Sequence, residues 1–236
     1  MSDISAIYRN RGVNPLAVQT PPARDLLHWP LFNDANLEAY YRFEGDSNDS
    51  KGTRHGTGTD ISYSTANGKF LQGARFNGGS SYITLPTTIP TLTTFSIFMW
   101  IKTMFNAATN MHLYQQAAIA NNANVDVSVT DAHKFKAAIY DGAPETYVES
   151  SILVNDGAWN NVIVTRTGAT MTLYINGAAD GQITTGKTIT IGHDIIGIGR
   201  HSSGVQYFDG AMDDFALFSR VLTPAEISAY YSWAVA

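Results

Sequence analysis

The last third of the chain contains two segments whose patterns leave few folds open. In the first, Met171, Leu173 and Ile175 alternate with polar residues and fall on one face of a strand. Asn176 and Gly177 follow, and this pair supplies the two positive-φ residues that a type I′ hairpin turn needs. The segment therefore predicts antiparallel strands joined by tight turns.

The second segment predicts a strand followed by a short helix. The strand carries the neighbouring acids Asp213 and Asp214, which simple alternation would place on opposite faces of a sheet. Thr223 fits the N-cap of a capping box that Glu226 completes three residues later. The sequence therefore predicts one substantial helix, over 224–231.

Composition favours an all-β protein and excludes several function classes. Only 15% of the 236 residues are charged, while glycine (20), tyrosine (12) and phenylalanine (11) are plentiful. A formal net charge of −5, without a cluster of lysine and arginine, argues against general nucleic-acid binding. The absence of cysteine excludes disulfides and thiolate metal sites. No run of about 18 apolar residues is present, so we predict no membrane span.

The first 34 residues differ from the rest, so we divide the chain into an arm, 1–34, and a domain, 35–236. Four of the eight prolines stand in the arm and prevent regular strands or helices there. The apolar side chains of the arm need a surface, which leaves two interpretations open: the arm wraps around its own domain, or it docks on a neighbouring subunit. The side chains concerned are Ile4, Ile7, Tyr8, Leu26, Leu27, Trp29 and Phe32.

Several short motifs follow one another from Asn36 to Tyr231, and none of them is specific alone. They are AYYRFEGD, DSKG, Phe76-x-Gly78 with Tyr82, FSIFMW, Trp159 with Val162, LYING, a later Ile-Gly, FDGAMDD and LTPAEI. In this order they resemble the laminin-G-like, concanavalin-A-like jelly-roll modules. The resemblance implies an all-β sandwich of two antiparallel sheets with a short C-terminal helix. It does not settle function, because lectins, adhesion modules, glycosidases and viral structural proteins share this scaffold.

The same resemblance implies a structural Ca²⁺ near the edge of the sandwich. Family members hold it with a carboxylate after the first aromatic strand, a main-chain carbonyl of the F-x-G turn and an acid of the last strand, and hard oxygen ligands suit this ion. The matching positions are Glu44, Asn77, Gly78 and Asp213, with Asp46 and Asp49 as substitutes for Glu44. The alternative is that Glu44 and Asp213 are hydrogen-bonded acids without a metal.

The pattern shows no catalytic site. Glycosidases on this scaffold place carboxylates at alternating positions of one central strand, where they share a face. None of the five glutamates belongs to such a set, and Asp213 and Asp214 are expected to point in opposite directions. The six histidines are scattered, and none stands in a triad order with serine and a carboxylate. We therefore predict that the protein is not an enzyme.

A sugar-binding site would need an exposed aromatic ring with polar donors around it. The main candidates in predicted loops are Tyr140, Asp141, Arg200 and Tyr207, and Tyr114, Tyr147 and His201 are of the same type. No charge cluster or tandem aromatic motif selects one face, and the sequence does not name a ligand.

Three functions stay open at this point. The first is a non-enzymatic structural or adhesive protein of a larger assembly, such as a decoration, neck or tail-fibre protein of a phage virion, which contacts other subunits through the arm. The second is a lectin-like module that binds carbohydrate, for example a cell-surface glycan. The third, a glycoside hydrolase, needs an acid pair that the pattern does not show. The N-terminus lacks a basic stretch followed by an apolar one, so we expect a virion or other extracellular assembly made without a signal peptide, or alternatively a bacterial surface or secreted protein.

Overall fold

Two antiparallel sheets packed face to face form the protein, which confirms the predicted β-sandwich. The computed structural model describes residues 30–90, 92–104, 108–117, 123–141, 144–187 and 195–236. The strands in chain order are β1 (Leu37–Tyr41), β2 (Thr57–Thr59), β3 (Ser62–Ser64), β4 (Gly73–Asn77), β5 (Tyr82–Thr84), β6 (Phe95–Lys102), β7 (Met111–Ala117), β8 (Ala123–Val129), β9 (Lys134–Asp141), β10 (Thr146–Leu153), β11 (Asn160–Thr167), β12 (Thr170–Ile175), β13 (Ala178–Thr184), β14 (Ile195–Ile198) and β15 (Asp209–Phe218).

The two sheets divide these strands almost equally. The eight-stranded sheet has the order β13-β12-β11-β6-β15-β4-β3, with β1 paired to β15 outside this path. The seven-stranded sheet has the order β10-β9-β8-β7-β14-β5-β2. Strands that are distant in sequence, such as β7 and β14, therefore become neighbours, and residues far apart along the chain share a face.

The predicted hairpin and helix are both confirmed. Asn176 (φ 52°) and Gly177 (φ 84°) form the two-residue connection between β12 and β13. Helix α1 (Pro224–Val235) begins after Thr223, whose side chain accepts from the Glu226 N–H, while the Glu226 carboxylate accepts from the Thr223 N–H at 2.7 Å. In the described part of the chain, no helix combines the length and the apolar character that crossing a membrane would need.

The apolar side chains form two clusters on the two faces of the eight-stranded sheet. The larger cluster fills the space between the sheets, with Phe76, Phe135 and Phe215 among its fully buried members. The smaller cluster lies on the outer face of the eight-stranded sheet, where helix α1 covers it. In this cluster the Trp100 indole N–H donates to the Tyr230 hydroxyl at 2.9 Å, so the polar ends of both rings are satisfied. The eight-stranded sheet is therefore covered on both faces over this region.

The boundary between arm and domain lies earlier than the sequence suggested. A 3-10 helix (Pro30–Asn33) packs on the domain, and Phe32, which we predicted to contact a neighbouring subunit, is 4% exposed and stacks on Tyr40 at 4.3 Å between ring centroids. Asp34 accepts from Arg220 at 2.7 Å and ties the same segment to the end of β15. Phe32 therefore belongs to the domain core. The other predicted arm side chains, Ile4, Ile7, Tyr8, Leu26, Leu27 and Trp29, lie outside the described residues.

Candidate functional site

A row of mostly short side chains crosses the outer face of the seven-stranded sheet. The residues between them, such as Ile83, Val125 and Ile196, point into the core, so strand alternation places the row on the opposite face. Cross-strand pairing links Thr84 to Gly197, Gly197 to Gln115, Gln115 to Asp126, Asp126 to Ala138, and Ala138 to Tyr147. The row therefore runs over six strands and ends at a tyrosine that is 47% exposed.

A pocket of about 270 Å³ opens at the other end of this row. Its floor is Gly197, where an added Cβ would make only ordinary contact with the Ile83 carbonyl, at 3.4 Å. The Ser202 N–H donates to Gln115 Oε1 at 2.6 Å and fixes the loop after β14 over β7. The residues lining the pocket are Thr84, Leu85, Thr87, Gln115, Ile196, Gly197, Arg200 and Ser202.

Arg200 borders the pocket and stacks on Tyr82. The guanidinium carbon lies 3.4 Å from the centroid of the Tyr82 ring, and both side chains are half-buried. Arg200 was predicted as a ligand residue from its type alone. The structure brings it together with an aromatic ring and hydroxyl groups, but the Tyr82 ring is half-buried under Arg200 and is not the exposed ring that the sequence analysis required of a sugar site.

A polar cluster extends from Asp126 of the row to neighbouring residues on the same face. His112 Nδ1 lies 2.6 Å from Asp126 Oδ1, and the His201 ring stands edge-on to His112 at 4.7 Å between centroids. Burial, and next the nearby His112, lower the pKa of His201. Lys136 donates to Glu145 at 2.7 Å. Sequence reasoning missed this cluster because its members come from different strands and loops, and no spacing signal connects them.

The other predicted ligand residues lie at different places in the structure. Tyr147 and Tyr140 lie on the outer face of the seven-stranded sheet, since they alternate with the inward Val148 and Ile139. Tyr114 is 1% exposed inside the core, where burial raises its pKa, so it cannot line a surface site. Tyr207 is half-buried before β15, and the side chain of Asp141 lies outside the described part of the structure. Neither residue is assigned a role in the site.

A second, larger pocket of about 370 Å³ lies at the edge of the eight-stranded sheet. Arg75 and Lys102 line it, but Arg75 already donates to Asp209 at 2.6 Å and to the Gly210 carbonyl at 3.1 Å. The ion pair with Asp209 offsets the charge of Arg75 and, with the Gly210 contact, uses two of its N–H groups, so Lys102 is the remaining cation of the described lining.

Asp213 and Asp214 lie on the same face of the eight-stranded sheet, contrary to the prediction from alternation. Asp214 has φ 53° and stands at a break in the pairing of β15 with β6, so the bulge turns both side chains outward. Asp213 accepts from the Lys69 and Phe70 N–H groups at 2.8 and 2.9 Å, and each acid is 1% exposed. Burial, reinforced for each acid by nearby carboxylates, raises both pKa values, that of Asp214 to about 7.

The predicted calcium ligands are only partly brought together. Glu44 accepts from the Gln72 N–H at 3.1 Å, so it and Asp213 hold the same short loop. Asn77, however, pairs with Asp209, four residues and roughly 13 Å before Asp213 along β15. The side-chain oxygen of Asn77 accepts from the backbone N–H groups of the turn that follows β4. Asn77 and Gly78 are therefore removed from the predicted ligand set.

Two buried oxygens at this place lack a partner among the described residues: Asp213 Oδ1 and Asp214 Oδ2. Such oxygens suit a hard cation. Within the described ranges, however, no three histidine or acidic side chains converge as a metal site would require. An ion at Glu44 and Asp213 would need backbone carbonyls and water to complete its ligands. Calcium binding by these acids stays a prediction.

The substitute calcium ligands have structural roles in the loop after β1. Asp49 is buried and accepts from the N–H groups of Tyr40, Lys51 and Arg54 at 2.9–3.2 Å. Asp46 is exposed and accepts from Asn48. Both acids therefore shape the turn that they belong to.

Comparison with known families gives one match that covers most of the chain. The Laminin_G_3 family model, described as the concanavalin A-like lectin/glucanases superfamily, matches residues 77–228. This range includes β5 to β15 and the first part of helix α1.

Similar solved structures include binding domains and a hydrolase. Domain 4 of AbnA, an extracellular arabinanase from Geobacillus stearothermophilus solved with arabinotriose, has TM-score 0.70 and 21% identity over 82% of this chain and 97% of that one. The binding domain of Paraclostridial Mosquitocidal Protein 1 has TM-score 0.69 and 16% identity, and covers 84% of this chain and 52% of that chain. Trypanosoma rangeli sialidase has TM-score 0.63 and 14% identity, over 84% of this chain and 33% of that chain. At these identities the similarity shows a shared fold.

Proposed function

This chain belongs to the concanavalin A-like lectin/glucanases superfamily, and from that premise we propose that it is a carbohydrate-binding module without catalytic activity. Its ligand lies on the outer face of the seven-stranded sheet, in the Arg200 pocket. Asp126 and Ala138, further along the row, are 5% and 0% exposed, so the site does not extend to Tyr147. The observation that carries the proposal is the pocket itself, which combines hydroxyl groups, a floor without a side chain, and Arg200, whose guanidinium stacks on Tyr82 outside the lining.

The chemistry of the pocket suits a sugar. Thr84, Thr87 and Ser202 carry hydroxyl groups that can donate to and accept from sugar hydroxyls. Leu85 and Ile196 also line the pocket, but each is only 2% exposed, so the hydroxyl groups and Arg200 supply most of the accessible side-chain surface.

Similar proteins support the same proposal. The arabinanase domain was solved with arabinotriose, and two further similar structures are the mosquitocidal binding domain and the receptor binding domain of botulinum neurotoxin type G. This chain spans 52% and 51% of those two toxin chains, so the proposal concerns a binding domain and not the whole activity of a toxin.

The absence of catalysis rests on what surrounds the acids. Asp213 and Asp214 are side by side but 1% exposed beneath the loop that contains Lys69 and Phe70, so a glycosidic bond cannot reach them. On the opposite sheet Asp126 is buried against His112. His201 Nδ1 lies 2.6 Å from Ser203 Oγ within the same short loop, and no carboxylate among the described residues hydrogen-bonds to His201 to complete a triad.

Calorimetric titration of the full chain with neutral and acidic oligosaccharides, arabinotriose included, tests the proposal. Replacing Gly197→Leu should fill the pocket and reduce binding of any ligand at least tenfold, with little change in melting temperature. Gly186→Leu is the matched control, because Gly186 lines a different pocket and a Cβ there meets nothing within 4 Å. Equal loss in both variants, or no binding by any carbohydrate, would contradict the proposal.

The assembly function predicted for the arm is a separate proposal. The residues on which it rests lie at 1–29, outside the described part of the chain, and Phe32 no longer supports it. A virion component that displays a glycan-binding domain would unite both functions. Deletion of the arm, described in the Discussion, tests the assembly part alone.

A further inference from the structure

Arg200 differs from the other described arginines because its N–H groups neither donate to nor form an ion pair with any other described residue. Arg54, Arg75, Arg166 and Arg220 each donate to a carbonyl or carboxylate oxygen, and Arg42 lies 3.7 Å from Glu44. Arg200 makes no hydrogen bond or ion pair with any residue that the structure describes, and the Tyr82 ring covers one flat face of its guanidinium. The ring holds the guanidinium in place and leaves its N–H edge available.

Among the described residues that line the pocket, Arg200 is also the only charged one. The nearest acid of the cross-strand row, Asp126, is buried and paired with His112. The chain as a whole carries a formal net charge of −5, so an isolated positive charge in a pocket is opposite in sign to the net charge of the protein. A ligand that places a negative charge there meets no carboxylate of the described lining residues.

A carboxylate is the anion whose shape fits this arginine best. The guanidinium is planar and offers parallel N–H groups that bind both oxygens of a carboxylate at once. Because Tyr82 covers one flat face of the guanidinium, a ligand approaches in its plane, which is the direction that bidentate binding uses. A pocket of about 270 Å³ is smaller than the roughly 300–1,000 Å³ of drug-sized sites and suits a single sugar ring.

We infer that the Arg200 pocket binds the carboxylate of an acidic sugar unit, such as a uronic acid or sialic acid residue, through the guanidinium of Arg200. The inference rests on the proposed function, since it names the ligand class of the same site. The hydroxyl groups of Thr84, Thr87 and Ser202 bind the ring, and Arg200 selects sugars that carry the acid.

The experiment compares each acid with its own methyl ester, which keeps the ring and removes the charge. The probes are glucuronate, galacturonate and N-acetylneuraminate, as oligosaccharides or simple glycosides, titrated into the full chain. The variants are Arg200→Gln and Arg200→Lys, and Lys102→Gln is the control that removes one positive charge from the other pocket. Melting temperatures of all variants establish that each remains folded.

The inference predicts that at least one acid binds about tenfold or more tightly than its ester, as expected for a charge-assisted bidentate contact. Arg200→Gln should abolish this preference, Arg200→Lys should retain part of it, and Lys102→Gln should leave it unchanged. Equal binding of acid and ester, or a preference that survives Arg200→Gln, overturns the inference while carbohydrate binding stands. Stronger binding of sulfated sugars than of any carboxylate also overturns it. If no sugar binds at all, the proposed function fails with it.

Discussion

The hydroxyl of Tyr40 donates a 2.6 Å hydrogen bond to the carboxylate of Asp214, although 174 residues separate them in the chain. Both groups are buried on the outer face of the eight-stranded sheet. Burial, and next the charge of Asp214, raise the pKa of Tyr40 well above its usual value, while burial raises that of Asp214 to about 7. This contact joins the first and last strands, and the carboxyl group of Asp214 that takes part in it resists ionisation.

The raised pKa of Asp214 predicts that the variant Asp214→Asn is more stable than the natural protein above pH 7. Between pH 4 and 7 the folded state binds more protons than the unfolded chain, whose pKa is near 3.8, so the free energy of unfolding falls as the pH rises. An amide removes the charge and keeps an oxygen for the Tyr40 hydroxyl. In chelating buffer at pH 8 we expect a gain of about 1–3 kcal/mol.

Denaturant melts at pH 5 and pH 8 measure this effect, with the exposed Asp131→Asn as the control. The Asp214→Asn gain should shrink at pH 5, where the natural carboxyl is already largely protonated. A loss of stability in Asp214→Asn at both pH values would contradict the account.

Calcium binding at Glu44 and Asp213 remains a prediction of the family resemblance, and it has a direct measurement. If these acids bind Ca²⁺, an ion at a hundredfold above its dissociation constant stabilises the fold by about 2.7 kcal/mol. Glu44→Gln should reduce that gain, whereas Asn77→Ala should not, because Asn77 lies at the other end of β4. Calcium binding at these acids is contradicted if neither calcium nor chelator changes the melting temperature and no metal is detected in the protein.

The ion pair between Glu226 and Arg220 predicts a loss of stability in acid. The Arg220 hydrogen bonds lower the pKa of Glu226 from its usual 4.5 to about 2, so its contribution is complete above pH 4.5 and is lost as the pH falls towards 2. At pH 7 the capping box of the natural protein is intact, and Glu226→Gln should lower the free energy of unfolding by about 1 kcal/mol. Thermal melts of this variant and of the control Glu149→Gln should converge near pH 2. A Glu226→Gln deficit that persists at pH 2 would show that the pairing is not its cause.

Two truncations separate the arm from the domain. Deletion of 1–29 should leave the melting temperature nearly unchanged, because the packed 3-10 helix remains. Deletion of 1–34 removes Phe32 and Asp34 as well, and the Phe32→Ala change alone is expected to cost about 3–5 kcal/mol. Thermal melts of the two truncated proteins measure the difference in stability between them.

An assembly assay on the 1–29 deletion then tests the predicted subunit contacts of Ile4, Ile7, Tyr8, Leu26, Leu27 and Trp29. Normal incorporation of this truncated protein into its assembly contradicts the assembly function. A truncated protein that cannot fold shows instead that the arm packs on its own domain.

Local signals predicted the parts of the fold that local contacts determine. The Asn176-Gly177 turn and the Thr223 capping box are formed by residues one to three positions apart, so their sequence is sufficient to identify them. The stack of Arg200 on Tyr82 and the pair of His112 with Asp126 depend on which strands become neighbours. Without the sheet order, residue type alone could suggest Arg200 but could not supply its partner.

Alternation failed where the backbone departs from a regular strand. The prediction for Asp213 and Asp214 assumed a period of two, and the bulge at Asp214 breaks that period at this single residue. The sequence contains no glycine or asparagine there to announce a positive φ. A similar limit applies to Phe32, whose burial depends on Tyr40 and helix α1 and not on the prolines around it.

The most direct test of the central claim is amide chemical-shift mapping of the full chain during titration with the carbohydrates that bind it. The account predicts that the largest shifts cluster on the outer face of the seven-stranded sheet, at Thr84, Gln115, Gly197 and Ser202. Arg75 and Lys102, which line the pocket at the other sheet, should be unaffected. Shifts confined to Arg75 and Lys102, or no shift with any carbohydrate, would contradict a carbohydrate-binding site at Arg200.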